Sequence, residues 1–183
     1  MDLPPLRIDY MEGKRLDDIL LEKVMAGDWD MVVDFCMARP VCLKFKITSL
    51  GDTVCHLAVL DGRYDAVQKL KKLICEEDVT EEALGVANVR GNTPLHLAAS
   101  VGSVSMCECI AAGNVWPIGE RNVDGETPLF LAALLGHKYA FLCDTRWPLM
   151  AQRKPYVALD LPLARRVRQQ ISTIYSNQCI NIA

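Results

Sequence analysis

Apolar residues recur along this chain in short bursts of helical spacing, each bounded by glycine. Leu95, Ala98 and Ala99, and again Leu129, Ala132 and Ala133, fall at i, i+3 and i+4. That spacing lines one face of an α-helix. Each burst follows Gly-x-Thr and ends at a second glycine. Gly51 to Gly62, Gly91 to Gly102 and Gly125 to Gly136 align without gaps, with Thr53, Thr93 and Thr127 at equivalent places, 40 and 34 residues apart. The threonines predict N-caps, and Pro94 and Pro128 then stand at the first helical position, where a missing N–H is harmless. Gly51, Gly91 and Gly125 predict tight turns. Gly27, Gly62, Gly102 and Gly136 predict helix stops in the left-handed conformation. A second helix is expected after each stop: Tyr64–Leu73 with Val67, Leu70 and Leu73 inward, then Val104–Ile110, then Lys138–Cys143. The unit is turn, short helix, glycine stop, antiparallel helix.

A degenerate first copy precedes these. Leu20 to Gly27 followed by Trp29 to Val33 has the helix–stop–helix pattern but no threonine cap, and Glu22 and Lys23 sit on its first helix. It reads as a capping unit with one face in water. About seven extra residues separate the first two full copies, and the acidic run Glu76–Glu82 is expected to hold them as a solvated loop.

Thr93-Pro94-Leu95-His96-Leu97-Ala98-Ala99 resembles the signature of ankyrin repeats, whose period is about 33. The resemblance implies an all-α solenoid: an N-terminal extension to residue 15, a cap over 16–45, repeats over 46–86, 87–120 and 121–144, and a divergent tail over 145–183. Gly27-Asp28-Trp29, Ala38-Arg39-Pro40 and Lys46-Ile47-Thr48 running into Gly51 further resemble the N-terminal repeats of plant proteins with a C-terminal PGG domain and transmembrane helices. That membrane portion is absent from these 183 residues. The plant resemblance implies stress or defence signalling at the cytoplasmic face of a membrane, with longer ankyrin proteins among the expected partners.

Three histidines are present, and His56 and His96 occupy the motif position, where the resemblance implies a structural imidazole joining neighbouring loops and helix ends. His137, after a glycine stop, is expected half exposed. The eight cysteines have neither C-x-x-C spacing nor zinc-site spacing and read as reduced, buried thiols. Cys55 next to His56 is no nucleophile–base pair, because adjacent helical residues point apart. No catalytic, metal or cofactor site is expected; an enzyme or thiol sensor built on Cys107, Cys109 or His56 is the rival reading. Trp29, Trp116 and Trp147 are expected to pack at junctions.

Charge adds one feature. Residues 145–183 carry six basic side chains and one acid, a net of +5, and the remainder carries −8. The acidic body argues against nucleic acid. Lys69, Lys71 and Lys72 read as the wet face of an outer helix. In the tail, Asp160 and Pro162 suggest a helix start, and Leu163, Val167, Ile171 and Ile174 form one apolar stripe. That stripe suits capping of the open end of the stack first, and otherwise a disordered tail or contact with an anionic membrane. The N-terminus shows no secretory signal, no run spans a bilayer, and a cytoplasmic location is expected.

What remains is surface. Ankyrin stacks bind partners with their turn tips and the exposed side of the inner helices, a concave strip built from successive repeats, and a non-enzymatic protein-binding role on that strip is expected. Transferred here, those positions are Ile47, Ser49, Leu50, Asp52, Leu60 and Asp61 in the first repeat. The second contributes Ala87, Val89, Arg90, Asn92, Ser100 and Val101; the third, Arg121, Val123, Asp124, Glu126, Leu134 and Leu135. Arg90 and Arg121 are expected at equivalent tips. Thr53, His56, Gly62, Thr93, Pro94, His96, Gly102, Thr127, Pro128 and Gly136 form the structural motif.

Overall fold

The structure is a computed structural model that describes residues 10–11, 14–76, 83–112, 119–137 and 140. Glu77–Glu82, Trp116, Trp147 and the basic tail with its apolar stripe lie outside these residues. So does the helix expected over 138–143, apart from Ala140.

Among the described residues, seven helices with defined bounds follow one another, the first six in antiparallel pairs. The first unit is α1 (Leu16–Met25) and α2 (Trp29–Ala38), the second α3 (Val54–Leu60) and α4 (Tyr64–Glu76), the third α5 (Pro94–Ser100) and α6 (Val104–Ala111), and α7 (Pro128–Leu134) opens the fourth. Short 3-10 segments, Pro40–Lys44 and Ala83–Gly85, lead toward the next hairpin. A small antiparallel pair, β1 (Tyr10–Met11) with β2 (Lys14–Arg15), stands directly before α1. The helices stack in two layers. α1, α3, α5 and α7 form the inner layer; α2, α4 and α6 form the outer one.

Local sequence explains each element. Thr53, Thr93 and Thr127 take extended backbone at the N-cap (φ −92°, −87° and −91°). Pro94 and Pro128 begin the helices behind them. At the other end, Gly62 donates to the Val59 carbonyl and Arg63 to that of Ala58. Gly102 and Ser103, then Gly136 and His137, repeat these two bonds, and Gly27 and Asp28 make them in the first unit. This is the Schellman closure, which needs its glycine at positive φ. The four glycines have φ between 70° and 76°.

One hydrophobic core runs through the stack from Leu16 and Leu20 to Ala132 and Ala140. Ala58, Ala98 and Ala132 are fully buried where inner helices meet, and their small side chains let the backbones approach. α4 extends past the expected Leu73 to Glu76, and it is Ile74 that is buried while Leu73 is half-buried. Lys71 is no wet-face lysine. Its ammonium donates to the Cys109 and Ala112 carbonyls and so satisfies the C-terminal end of α6 in the next repeat. Trp29 packs at a junction as expected. It is buried, and its indole Nε1 donates to Asp61 Oδ2 at 2.7 Å, joining the first unit to the second.

Candidate protein-binding surface

The segments before α3, α5 and α7 fold as hairpins closed by paired backbone bonds. Gly51 donates to Thr48 and Ile47 to Asp52; Gly91 to Asn88 and Asn88 to Asn92; Gly125 to Asn122 and Asn122 to Glu126. The side chain three residues before each glycine organises its turn. Asn88 Oδ1 accepts from the N–H groups of Arg90 (3.0 Å) and Asn92 (3.1 Å). Asn122 Oδ1 does the same for Asp124 (3.0 Å) and Glu126 (2.9 Å). Thr48 Oγ1 accepts from Asp52 N–H at 2.9 Å. Asparagine favours such turns because its carbonyl reaches its own backbone a few residues on.

Three kinds of bond stack one hairpin on the next. Backbone bonds run from Val89 N–H to the Leu50 carbonyl (2.9 Å) and from Val123 N–H to the Arg90 carbonyl (3.0 Å). Side chains repeat the connection, with Asn88 Nδ2 donating to Asp52 Oδ1 (2.8 Å) and Asn122 Nδ2 to Asn92 Oδ1 (3.0 Å). The third link is histidine. His56 Nδ1 accepts from Thr53 N–H at 3.2 Å, so the ring proton sits on Nε2, which donates to the Asn92 carbonyl at 2.8 Å. His96 does likewise with Thr93 N–H (3.1 Å) and the Glu126 carbonyl (3.0 Å). Both rings are fully buried. Burial lowers their pKa values, that of His96 to about 4. In the third repeat Phe130 replaces the histidine, and Thr127 Oγ1 still caps Phe130 N–H at 3.2 Å.

On this frame Leu50, Val89 and Val123 stand exposed on the three hairpins, and Leu60, Val101 and Leu135 stand exposed at the ends of α3, α5 and α7. Ser49, Asp61, Arg90, Arg121 and Asp124 are exposed with them; Ala87, Asn92, Ser100, Glu126 and Leu134 are half-buried. Two expected contact residues are not surface at all. Ile47 is 6% exposed and belongs to the core, and Asp52 is 5% exposed with its carboxylate committed to Thr48 and Asn88. Arg90 and Arg121 are not equivalent either. Counting back from Gly91 and Gly125, Arg90 matches Asp124, and Arg121 donates to the Gly125 carbonyl of its own turn at 2.6 Å. Asp61 is also held, by Arg63 Nε at 2.8 Å and by Trp29, and these donors, Arg63 first, keep its carboxyl below the ordinary aspartate range.

The turn-forming side chains Thr48, Asn88 and Asn122 were missed from sequence. Their shared offset from Gly51, Gly91 and Gly125 was the available signal. Met25 was missed as well; it is 78% exposed and stands two residues before its glycine as Leu60 does, at the equivalent helix end of the first unit.

The groups of the rival enzymatic reading are built into structure. Cys36, Cys42, Cys55 and Cys107 are buried. Burial pushes the Cys55 thiol up to about 12 and raises Cys36 further. Cys109 is half-buried and also raised by burial. A thiolate is the reactive form, so these shifts oppose nucleophilic use. Both His56 ring nitrogens are hydrogen-bonded. Among the described residues, no group of three His, Cys, Asp or Glu side chains is placed to hold a metal ion.

Glycine-terminated helix pairs, a hairpin ladder and paired apolar rows define a repeat stack of the protein-binding class. Residues 55–144 match the family model for ankyrin repeats in three copies, and the fold is an ankyrin-repeat solenoid. Among solved structures, the chain is similar in fold to a chain in the crystal structure of the yeast ribosomal protein Rps3 in complex with its chaperone Yar1. The likeness has a TM-score of 0.61 at 20% identity and covers 76% of this chain and 95% of that one. No curated protein sequence matches.

Proposed function

We propose that this protein is a non-enzymatic binding module that holds a protein partner on the face made by its hairpins and inner-helix ends. One observation carries the reading. Six aliphatic side chains are exposed, Leu50, Val89 and Val123 on the hairpins and Leu60, Val101 and Leu135 at the inner-helix ends, on backbone that is bonded from repeat to repeat. Rigid apolar anchors with interleaved arginine suit an interface core. The similarity to a chain of the Rps3–Yar1 complex supports the fold on which such a face is built. The resemblance to plant ankyrin proteins supports a partner in stress or defence signalling at the cytoplasmic face of a membrane, longer ankyrin proteins included. No helix among the described residues is long and apolar enough to cross that membrane.

The test is capture from the native tissue, followed by identification and direct titration of the captured protein. Val89→Asp with Val101→Asp is expected to weaken the titrated affinity at least about tenfold, the size of a lost anchor, with circular dichroism unchanged. Lys69→Glu, on α4 in an exposed pair with Asp30, should leave it intact. If Lys69→Glu does the damage and the double variant does not, the binding face is the outer layer.

A further inference from the structure

Charge divides the hairpin row. On the first hairpin Lys46 is exposed while Asp52 is buried in hydrogen bonds. On the second, Arg90 is exposed beside the neutral Asn88 and Asn92. The third reverses sign: Asp124 is exposed, and Glu120 and Glu126, both half-buried, accompany it against the single cation Arg121. The hairpins thus run from positive to negative across two repeat spacings, and Val89 and Val123, at the same place in their turns, are exposed along them together with Leu50, one place further on in its own turn.

Spacing selects the shape of the partner. Packed helices lie about 8–10 Å apart, which sets the step from one repeat to the next. Residues i and i+7 of a helix are about 10.5 Å apart on one face, close to that step. In an extended strand, residues i and i+3 span about 10 Å but point to opposite faces. A helix can therefore set one apolar side chain against each hairpin; a strand cannot.

Resting on the binding reading above, we propose that the occupant is an amphipathic partner helix lying along the hairpin row. It has a heptad-spaced apolar stripe, acidic residues where it meets the first two hairpins, and basic residues where it meets the third. The stripe sits on Leu50, Val89 and Val123; its acids face Lys46 and Arg90, and its bases face Asp124.

The probe is a synthetic helix of about 21 residues, three heptads, with Leu at heptad spacing, Glu in one half and Lys in the other. Fluorescence anisotropy is expected to show saturable binding that weakens with salt, and a scrambled peptide of the same composition should not bind. Lys46→Glu with Arg90→Glu should weaken the split-charge peptide about tenfold or more, as interfacial charge reversal does, and should create binding for an all-Lys peptide with the same leucines. That charge-swap rescue excludes misfolding as the cause of the loss. Equal binding of the scrambled peptide, no binding of the split-charge peptide, or no swap each overturns the proposal. If the peptides fail while Val89→Asp with Val101→Asp still releases the native partner, this inference falls and the binding face stands. If neither responds, both fall.

Discussion

At the scale of the residue, the two buried histidines carry the most information. Each is neutral, with Nδ1 accepting from a threonine N–H and Nε2 donating to the next hairpin. A proton on Nδ1 would leave two donors facing each other. The folded pKa therefore lies below the unfolded value of 6.5, at about 4 for His96. The unfolded chain binds more protons, so the stabilisation is complete above pH 6.5 and is lost as pH falls toward 4. Between pH 6.5 and 5, where most carboxylates stay ionised, we expect a loss of about 1–2 kcal/mol from His96, with His56 acting in the same direction. Urea midpoints measured across that window test this. The substitution His96→Phe, the residue type Phe130 supplies in the third repeat, should flatten the slope. An unchanged slope would show that His96 is not the titrating group. The histidine pattern was legible in sequence through the T-P-L-H match. The acceptors on Asn92 and Glu126 were not, because a contact across a repeat depends on how the units stack.

At the scale of the element, the hairpin shows why similar glycines are not equally replaceable. Gly91 and Gly125 have φ of 73° and 75°, so alanine is strained at either. Around Gly125 nothing lies within 4 Å of an added Cβ. At Gly91 the Cβ would stand 2.7 Å from Val123 N and 2.9 Å from Asn122 Cα, which are backbone atoms that cannot swing aside. Gly125→Ala is expected to cost about 1 kcal/mol and Gly91→Ala clearly more, around 2–4 kcal/mol once the ladder separates. Equal thermal midpoints for the two variants would refute close hairpin stacking. The turn itself was readable from Gly-x-Thr, but the crowding at Gly91 comes from the neighbouring hairpin and leaves no mark in its own segment. Lys71 makes the same point. Its sequence context is a basic run on a helix, yet its partners are carbonyls of another repeat.

At the scale of the whole molecule, stability follows the neighbours each unit has, as expected of a quasi-one-dimensional stack. α5 packs against α3, α6 and α7 and lies between the His56 and His96 bridges. Its amides are expected to exchange slowest. α7 begins the repeat that has Phe130 in place of a bridging histidine, and α1 has Arg15 at its N-cap with no side-chain cap bond. Hydrogen exchange followed by mass spectrometry should therefore rank α5 above α3, with α1 and α7 least protected. A uniform profile would mean that the array opens as one cooperative block.

The sequence by itself determined the unit: turn, threonine-capped helix, glycine stop and second helix. Each of these rests on bonds between residues no more than about five apart, so the pattern reads locally. It also marked the turn tips and helix ends as surface, where Val89 and Val123 share one register position and Val101 and Leu135 another, while Leu50 and Leu60 each stand one position off their row. Tertiary structure decided which neighbours of those residues face solvent. Ile47 and Asp52 share the turn sequence with Leu50, yet Ile47 turns into the core and Asp52 is drawn into the Asn88 ladder. Burial and cross-repeat hydrogen bonds depend on the unit stacked above, at separations of 30 to 41 residues, and no local pattern encodes what arrives from there.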